Sequence, residues 1–433
     1  MKTLFPKQKE AHDFFTDCHR RSPHLNTLDT SHVGTGKTVV ASHLAKSLNR
    51  PVAVICPKAV IPSWQRELQE SGIEPLFVLN YEKIRTGKTE WLTKRGKKIM
   101  TWHLPEDTLL LIDECHKMGG AYTQNAQMLI AAKNAGYHLH CMSATAAEDP
   151  TQMRALGYAL GLHSLNKADA PLRSWYGWMM QNGCRQNDWG AWELRRRSKL
   201  TDIRDKMYGS FAKRLTVADF PDSFRQNRVF VEPIEFADSK KIAKAYSDLG
   251  LTPDIVRQYI EEGTVEDSDF VIVNILRARQ LAESFKVREM VEMAEDLLAE
   301  GNSVVLFVNF RETADALSTT LKCGAIVGGQ KADERQQLID EFQSDEAHVL
   351  VVNIAAGGTG ISLHDVNGNR PRVSLISPSF NVKEYMQALG RIHRNGSKSD
   401  ALQKILVASD TIEEVVMDAV EKKMVNLKML HES

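Results

Sequence analysis

Short, wholly apolar runs recur along this chain, and between them apolar residues return at helical spacing. Val52-Ala53-Val54-Ile55-Cys56 and Leu109-Leu110-Leu111-Ile112 are unbroken runs of the length expected of buried parallel strands. From Lys37 to Leu48 the apolar residues Val40, Leu44 and Leu48 recur every four positions, which marks one face of a helix. Asn49 and Pro51 close it. Alternation of this kind predicts a parallel sheet with helices on both sides. A strand is also expected at Thr27-Leu28-Asp29, although it is only weakly apolar.

The pattern changes after about Leu162. Residues 163–225 carry few strand signals but hold Trp175, Trp178, Trp189 and Trp192 beside the basic run Arg195-Arg196-Arg197. This stretch reads as a helical extension of a first lobe. An extended segment, Arg228 to Phe236, opens a second lobe, and helical pieces follow from about 237 to 300. Apolar runs then resume at Val304–Val308, Val349–Val352 and Val373–Ile376, with helical patterns near Thr313–Leu321 and Glu334–Phe342. A last helix presents Ile412, Val416, Val420, Met424 and Leu427 on one face. The expectation is two tandem α/β lobes with parallel sheets and helical insertions, residues 1–225 and 226–433.

Composition narrows this only slightly. A chain of 433 residues exceeds one ordinary core. Basic and acidic residues balance at 55 each, so any polyanion would have to be met by a local patch. The six cysteines show no C-x-x-C spacing, which argues against a zinc site and for a reducing compartment. The opening residues lack a signal-peptide core, and no run is long enough to span a bilayer. A cytoplasmic monomer is expected, in a bacterial or phage-infected cell.

The chemistry lies in an ordered set of motifs. In Ser31-His32-Val33-Gly34-Thr35-Gly36-Lys37-Thr38, the Gly34-Thr35-Gly36 backbone can turn tightly enough to point N–H groups at phosphate oxygens. The following helix offers its positive end to the same anion. Lys37 would reach the β- and γ-phosphates, and Thr38 would hold Mg2+. Ser31 stands where the usual loop has glycine. Asp113 leaves an apolar run and suits a Mg2+ contact. Glu114 beside it is placed to orient and deprotonate water. His116 would relay the nucleotide state to Ser143-Ala144-Thr145 or make a plain structural hydrogen bond. Arg391 and Arg394, three apart on a helix turn, suit the charge that spreads over a transferring phosphoryl group. An ATPase working between two lobes is the expectation.

In this order the motifs resemble those of superfamily 2 helicases and translocases, built from two RecA-like P-loop lobes. The secondary signatures are similar to those of the Swi/Snf-like branch: Leu4-Phe5-Pro6-Lys7-Gln8, Cys56-Pro57 through Trp64, Asn80-Tyr81-Glu82, Lys213-Arg214-Leu215-Thr216, Ala356 through Leu363, Gln387 through Gly396, and Thr411-Ile412-Glu413-Glu414. The resemblance implies ATP and Mg2+ as cofactors and adenine recognition by Gln8. It implies nucleotide contact by Gly358 and Gly360 and a catalytic part for Gln387. Lys58, Ser63, Asn309 and Thr359 would touch a nucleic-acid backbone. It implies movement on double-stranded or branched DNA by a minimal motor without appended domains, partnered by replication, recombination or repair proteins. Ser143-Ala144-Thr145 stands where that branch usually has T-G-T, so an RNA helicase of the DExH type stays as an alternative, as does a catalytically weak clamp on DNA.

Two stretches are locally basic. One runs from Lys83 to Lys98, and the other from Arg185 to Arg214 with Arg195, Arg196 and Arg197 at its centre. The arginines are read as DNA contacts, and the tryptophans as the core of a helical segment. A motor gripping phosphates has no need of sequence specificity.

Overall fold

The apolar runs pair side by side, as their composition predicts, in a computed structural model that describes residues 2–431 except 23–24, 96–98, 121, 167–170, 188–189, 222, 263–267 and 358–360. Lys97, Lys98, Trp189, Gly358, Thr359 and Gly360 therefore lie outside the described residues. The chain divides into two compact units, Met1–Asp219 with Val425–Ser433, and Phe220–Met424. The last nine residues thus group with the first unit and not with the second. Each unit is a RecA-like α/β lobe built on a six-stranded sheet.

In the first unit the strand order is Ala212–Lys213, Thr27–Asp29, His138–Met142, Leu109–Asp113, Val52–Cys56, Phe77–Asn80, and every pairing is parallel. Thr27–Asp29 looks weak in sequence but lies inside the sheet. Its flank is held by Leu28 N donating to Phe211 O and Thr30 N to Lys213 O, both at 3.0 Å. His138–Met142 carries no apolar run, yet all five residues are buried. A ring nitrogen of each imidazole is paired. His140 Nδ1 lies 2.8 Å from Thr27 Oγ1, and His138 Nε2 lies 2.9 Å from Asp107 Oδ1. Burial pushes His140 down to about 3, so its imidazole packs as a neutral group.

The segment after Leu162 is not the helical extension that its sequence predicts. Besides the helices Trp175–Gln181 and Lys199–Met207 it holds an antiparallel pair, Cys184–Gln186 with Trp192–Leu194, and the sheet's edge strand Ala212–Lys213. Gly183 and Gly190, at φ 86° and 78°, allow the turns that end the helix and form the hairpin. A second hairpin, Leu92–Arg95 with Ile99–Trp102, lies in the basic stretch before the acidic box. Trp175 and Trp178 are buried and stacked 5.8 Å apart, so these two belong to the core.

The second unit orders its strands Asn227–Ile234, Ala401–Ala408, Arg372–Ile376, Ser303–Val308, Val349–Asn353, Gly324–Ile326, again all parallel. Ala401–Ala408 is interior although it contains Gln403 and Lys404. Gln403 is buried, and its Nε2 donates to Asn227 Oδ1 and Leu389 O, both at 2.9 Å. Helices Ser239–Ser247, Pro253–Glu262, Ser268–Ser284 and Val287–Ala299 fill the stretch before Ser303. Among the described residues no helix is long and apolar enough to cross a membrane.

Candidate nucleotide site

Strand register gathers the site. Asp29 and Asp113 both stand level with Met142 in the strand between them, so three chain segments leave the carboxyl edge of the first sheet together. In open α/β sheets that edge is where ligands bind. From it run the loop 30–36, the acidic box and Ser143.

The loop leads straight into helix Lys37–Leu48. Gly34 and Gly36 have φ of 84° and 93°, a conformation open mainly to glycine. A Cβ at Gly36 would also strike the Gln8 amide. That amide is buried. Its Nε2 donates to Thr35 O at 2.8 Å, while its Oε1 accepts from Phe5 N at 3.0 Å. Gln8 is therefore bound to the phosphate loop itself. Ser31 explains the missing glycine: its Oγ accepts from Leu215 N at 2.9 Å, and its own N donates to Asp29 Oδ1 at 2.8 Å. Its hydroxyl ties the loop to the neighbouring strand. Lys37 Nζ donates to Ser31 O at 2.6 Å and His32 O at 3.0 Å, so the ammonium sits inside the loop's curl. Desolvation lowers its pKa, and Asp29, Glu114 and Asp113 oppose that.

Asp113 is held from two sides. Trp64 Nε1 donates to its Oδ2 at 2.9 Å, and Tyr81 OH donates to its carbonyl at 2.5 Å. Desolvation and then the neighbouring Glu114 raise its pKa to about 6, against the Trp64 bond and the Lys37 charge. Glu114 itself adopts the left-handed conformation, φ 55° and ψ 49°. Such strain in a residue other than glycine gathers at functional positions. Its carboxylate accepts from Ser143 Oγ at 3.1 Å, and His116 Nδ1 lies 2.9 Å from the same Oγ. His116 Nδ1 also lies 3.1 Å from Glu114 Oε2, a cluster that serves a relay and a plain structural hydrogen bond alike.

Sequence reasoning missed several members. Asp29 is buried, its Oδ2 has no hydrogen-bond partner among the described residues, and burial raises its pKa against the Lys37 charge. It ends a strand next to a phosphate loop, the same signal that marked Asp113. Arg214 Nη1 donates to Thr30 O at 2.6 Å and Ala144 O at 3.3 Å, joining the loop to the Ser143 segment. Trp64 and Tyr81 were visible only as family signatures, and here they are the clamps on Asp113.

In the second unit Gln387 is buried near the end of helix Val382–Leu389. Arg391 and Arg394 are not on a helix turn as predicted. The helix stops at Leu389; Arg391 follows in the turn 390–392, and Arg394 lies in irregular chain just before a second turn, 395–396, where Gly396 has φ 90°. Arg391 is 3% exposed and donates to Ile361 O at 3.2 Å. Arg394 Nε donates to Gly390 O at 3.1 Å, and burial beside the Arg391 charge works against its own. A guanidinium stays charged in proteins, so that tension favours an anion and not deprotonation. The side chain of Asn309 is engaged inside this unit. Its Nδ2 donates to Glu283 Oε2 at 2.7 Å and Pro378 O at 3.0 Å. Lys58 and Ser63 stand exposed beyond strand Val52–Cys56, and Arg195, Arg196 and Arg197 are exposed as well.

Comparison with known proteins agrees with this geometry. Residues 286–396 match the helicase conserved C-terminal domain. A protein of Acanthamoeba polyphaga mimivirus, L364, named as a candidate ATP-dependent RNA helicase, is 29% identical over 94% of this chain and 80% of its own length. A Caenorhabditis elegans homolog of SWI/SNF-related matrix-associated actin-dependent regulator of chromatin subfamily A-like protein 1 is 22% identical over 98% of this chain and 61% of its own. The Drosophila ananassae DNA repair and recombination protein RAD54-like is 29% identical over 51% of this chain, which spans 28% of that protein. The likeness reaches both units, and what the chain is similar to throughout is ATP-dependent helicases, SWI/SNF-related proteins among them.

Proposed function

We propose that the protein is a DNA translocase that couples ATP hydrolysis to movement along double-stranded or branched DNA and so remodels it. One observation supports the hydrolytic part: Glu114 is held in a strained conformation at the sheet edge, and its carboxylate meets both Ser143 and His116. Lys37 and the loop N–H groups bind the phosphates. Thr38 and Asp113 offer a hydroxyl and a carboxylate, the hard oxygen ligands that Mg2+ takes when it arrives with a nucleotide. The ion would neutralise phosphate charge and relieve the crowded Asp113–Glu114 pair. Glu114 orients and deprotonates the attacking water. Arg391 and Arg394 stabilise charge on the γ-phosphate during transfer. Lys58, Ser63 and the run Arg195–Arg197 contact the DNA backbone, and replication, recombination or repair proteins are the partners in view.

DNA as the track is supported by the names of the nematode and fly relatives. The mimivirus relative is named for RNA, and Ser143-Ala144-Thr145 is compatible with that second reading. An ATPase panel with duplex DNA, single-stranded DNA, forked DNA and duplex RNA separates the two. Turnover is expected to rise with duplex or forked DNA. Stimulation by RNA alone would overturn the choice of track, and no stimulation by any nucleic acid would leave only a clamp.

A further inference from the structure

A group of side chains in the first unit stands outside the ATP chemistry. Tyr122 and Tyr176 are 66% and 47% exposed. Aromatic side chains grouped on a surface, rather than scattered singly, mark an interaction site. They come from different segments, Tyr122 from the loop that follows the acidic box and Tyr176 from helix Trp175–Gln181. Their hydroxyls bond each other at 2.6 Å, which fixes the two rings relative to one another. The Arg154 guanidinium lies 4.6 Å from the centre of the Tyr122 ring. On the other side the half-buried Trp192 stands 5.7 Å from Tyr176, tilted by 32°. The helix beneath is anchored by the buried Trp175 and Trp178 and capped by Ser174 Oγ, which accepts from Gly177 N. The result is a row of flat groups whose positions are set before any ligand arrives.

The charge beside this row is mainly basic, with Glu193 as a counter-charge. The hairpin strand carrying Trp192 runs on into Arg195, Arg196 and Arg197, all exposed. Arg195 pairs with Glu193, but Arg196 and Arg197 make no ion pair among the described residues. The Arg196 backbone is packed against Gly183, where an added Cβ would come within 2.7 Å of Arg196 O. The base of the arginine run is therefore fixed.

Fixed aromatic faces next to unpaired arginines match the chemistry of unpaired nucleotides. Bases stack on the rings while guanidinium groups take the phosphates. A closed duplex hides the faces of its bases and could offer only its phosphates. We propose that this surface is a binding site for single-stranded DNA, such as a tail or the open arm of a fork, with bases on Tyr122, Tyr176 and Trp192 and phosphates on Arg196 and Arg197. This rests on the reading of the chain as a DNA-dependent motor and adds the feature by which it would favour branched over plain duplexes.

The test compares a blunt duplex with the same duplex bearing an oligothymidylate tail, by fluorescence anisotropy without nucleotide. The full-length protein should bind the tailed form more tightly. Y122A/Y176A should lose roughly tenfold on the tailed form and nothing on the blunt one. Y122F/Y176F, which keeps the rings, should retain most of the difference. R196A/R197A should weaken tail binding and flatten its salt dependence. Blunt-duplex-stimulated ATPase should be unchanged in Y122A/Y176A, which also reports that the variant folds. Equal losses on both DNAs, or a tail that adds no affinity to the wild-type protein, would overturn the site. If blunt duplex still stimulates turnover in that case, the motor reading stands and only this inference falls. If no DNA stimulates turnover, the motor reading is what fails.

Discussion

Glu114 shows how much rests on a single residue. Its backbone is strained and its carboxylate is tied to Ser143, so it is built for a position and not for stability. Glu114→Gln keeps the shape and removes the carboxylate proposed as the base. ATP turnover should fall by about 10²-fold or more, while nucleotide affinity is preserved in an equilibrium binding assay. Gly36→Ala forces a left-handed residue against the Gln8 amide. It should destabilise the loop by about 1 kcal/mol or more and weaken ATP binding, read by titration with a fluorescent ATP analogue. Asp113 gives a prediction in pH. Its ordinary value of 3.8 is raised to about 6 in the folded chain, so the folded state holds this proton more tightly than the unfolded one. The stability it contributes is present below about 4 and is lost as pH rises through about 6. Asp113→Asn should therefore gain stability relative to the wild-type protein between pH 4 and pH 7, measured as the difference in urea midpoints.

The same logic at the scale of elements concerns what pins helices to sheets. In the second unit Lys286, just before helix Val287–Ala299, and Glu413, in the first turn of helix Ile412–His431, form a buried ion pair. Lys286 Nζ also donates to Leu406 O at 2.9 Å, and Glu413 Oε2 accepts from Ala408 N at 2.9 Å, so the pair fastens two helices to strand Ala401–Ala408. Removing one partner strands a buried charge. Lys286→Met should cost about 3–5 kcal/mol, seen in the denaturant midpoint, and Lys286→Met with Glu413→Leu should recover much of it. In the first unit, hydrogen bonds join apolar burial in fixing the segment beside the phosphate loop. Leu215 N meets Ser31 Oγ there, and His32 N meets Leu215 O.

For the whole molecule, the two lobes repeat one architecture and carry different motifs. The phosphate loop and acidic box belong to the first unit, and the two arginines to the second. If hydrolysis calls on both, Arg391→Ala and Arg394→Ala should each lower the stimulated turnover, by roughly 10³-fold for a full arginine-finger role, with a much smaller change in ATP affinity. Steady-state kinetics over a range of ATP concentrations separates the two quantities. Wild-type turnover in both variants would confine the hydrolytic machinery to the first unit.

The local sequence alone determined the runs that became Val52–Cys56, Leu109–Asp113 and Ser303–Val308, the helix from Lys37 to Leu48 and the order of the phosphate-handling motifs. Continuous apolar runs and glycine-rich turns act over a few residues, so they can be read from those residues. Tertiary structure decided the rest. His138–Met142 and Ala401–Ala408 are interior strands whose polar residues find partners far along the chain, such as Thr27 for His140 and Asn227 for Gln403. Asp29 is part of the site because register sets it level with Met142, and Trp64 and Tyr81 because folding brings them onto Asp113. The cost of burying a polar group is settled by what it meets, and neighbours distant in sequence are supplied only by the fold.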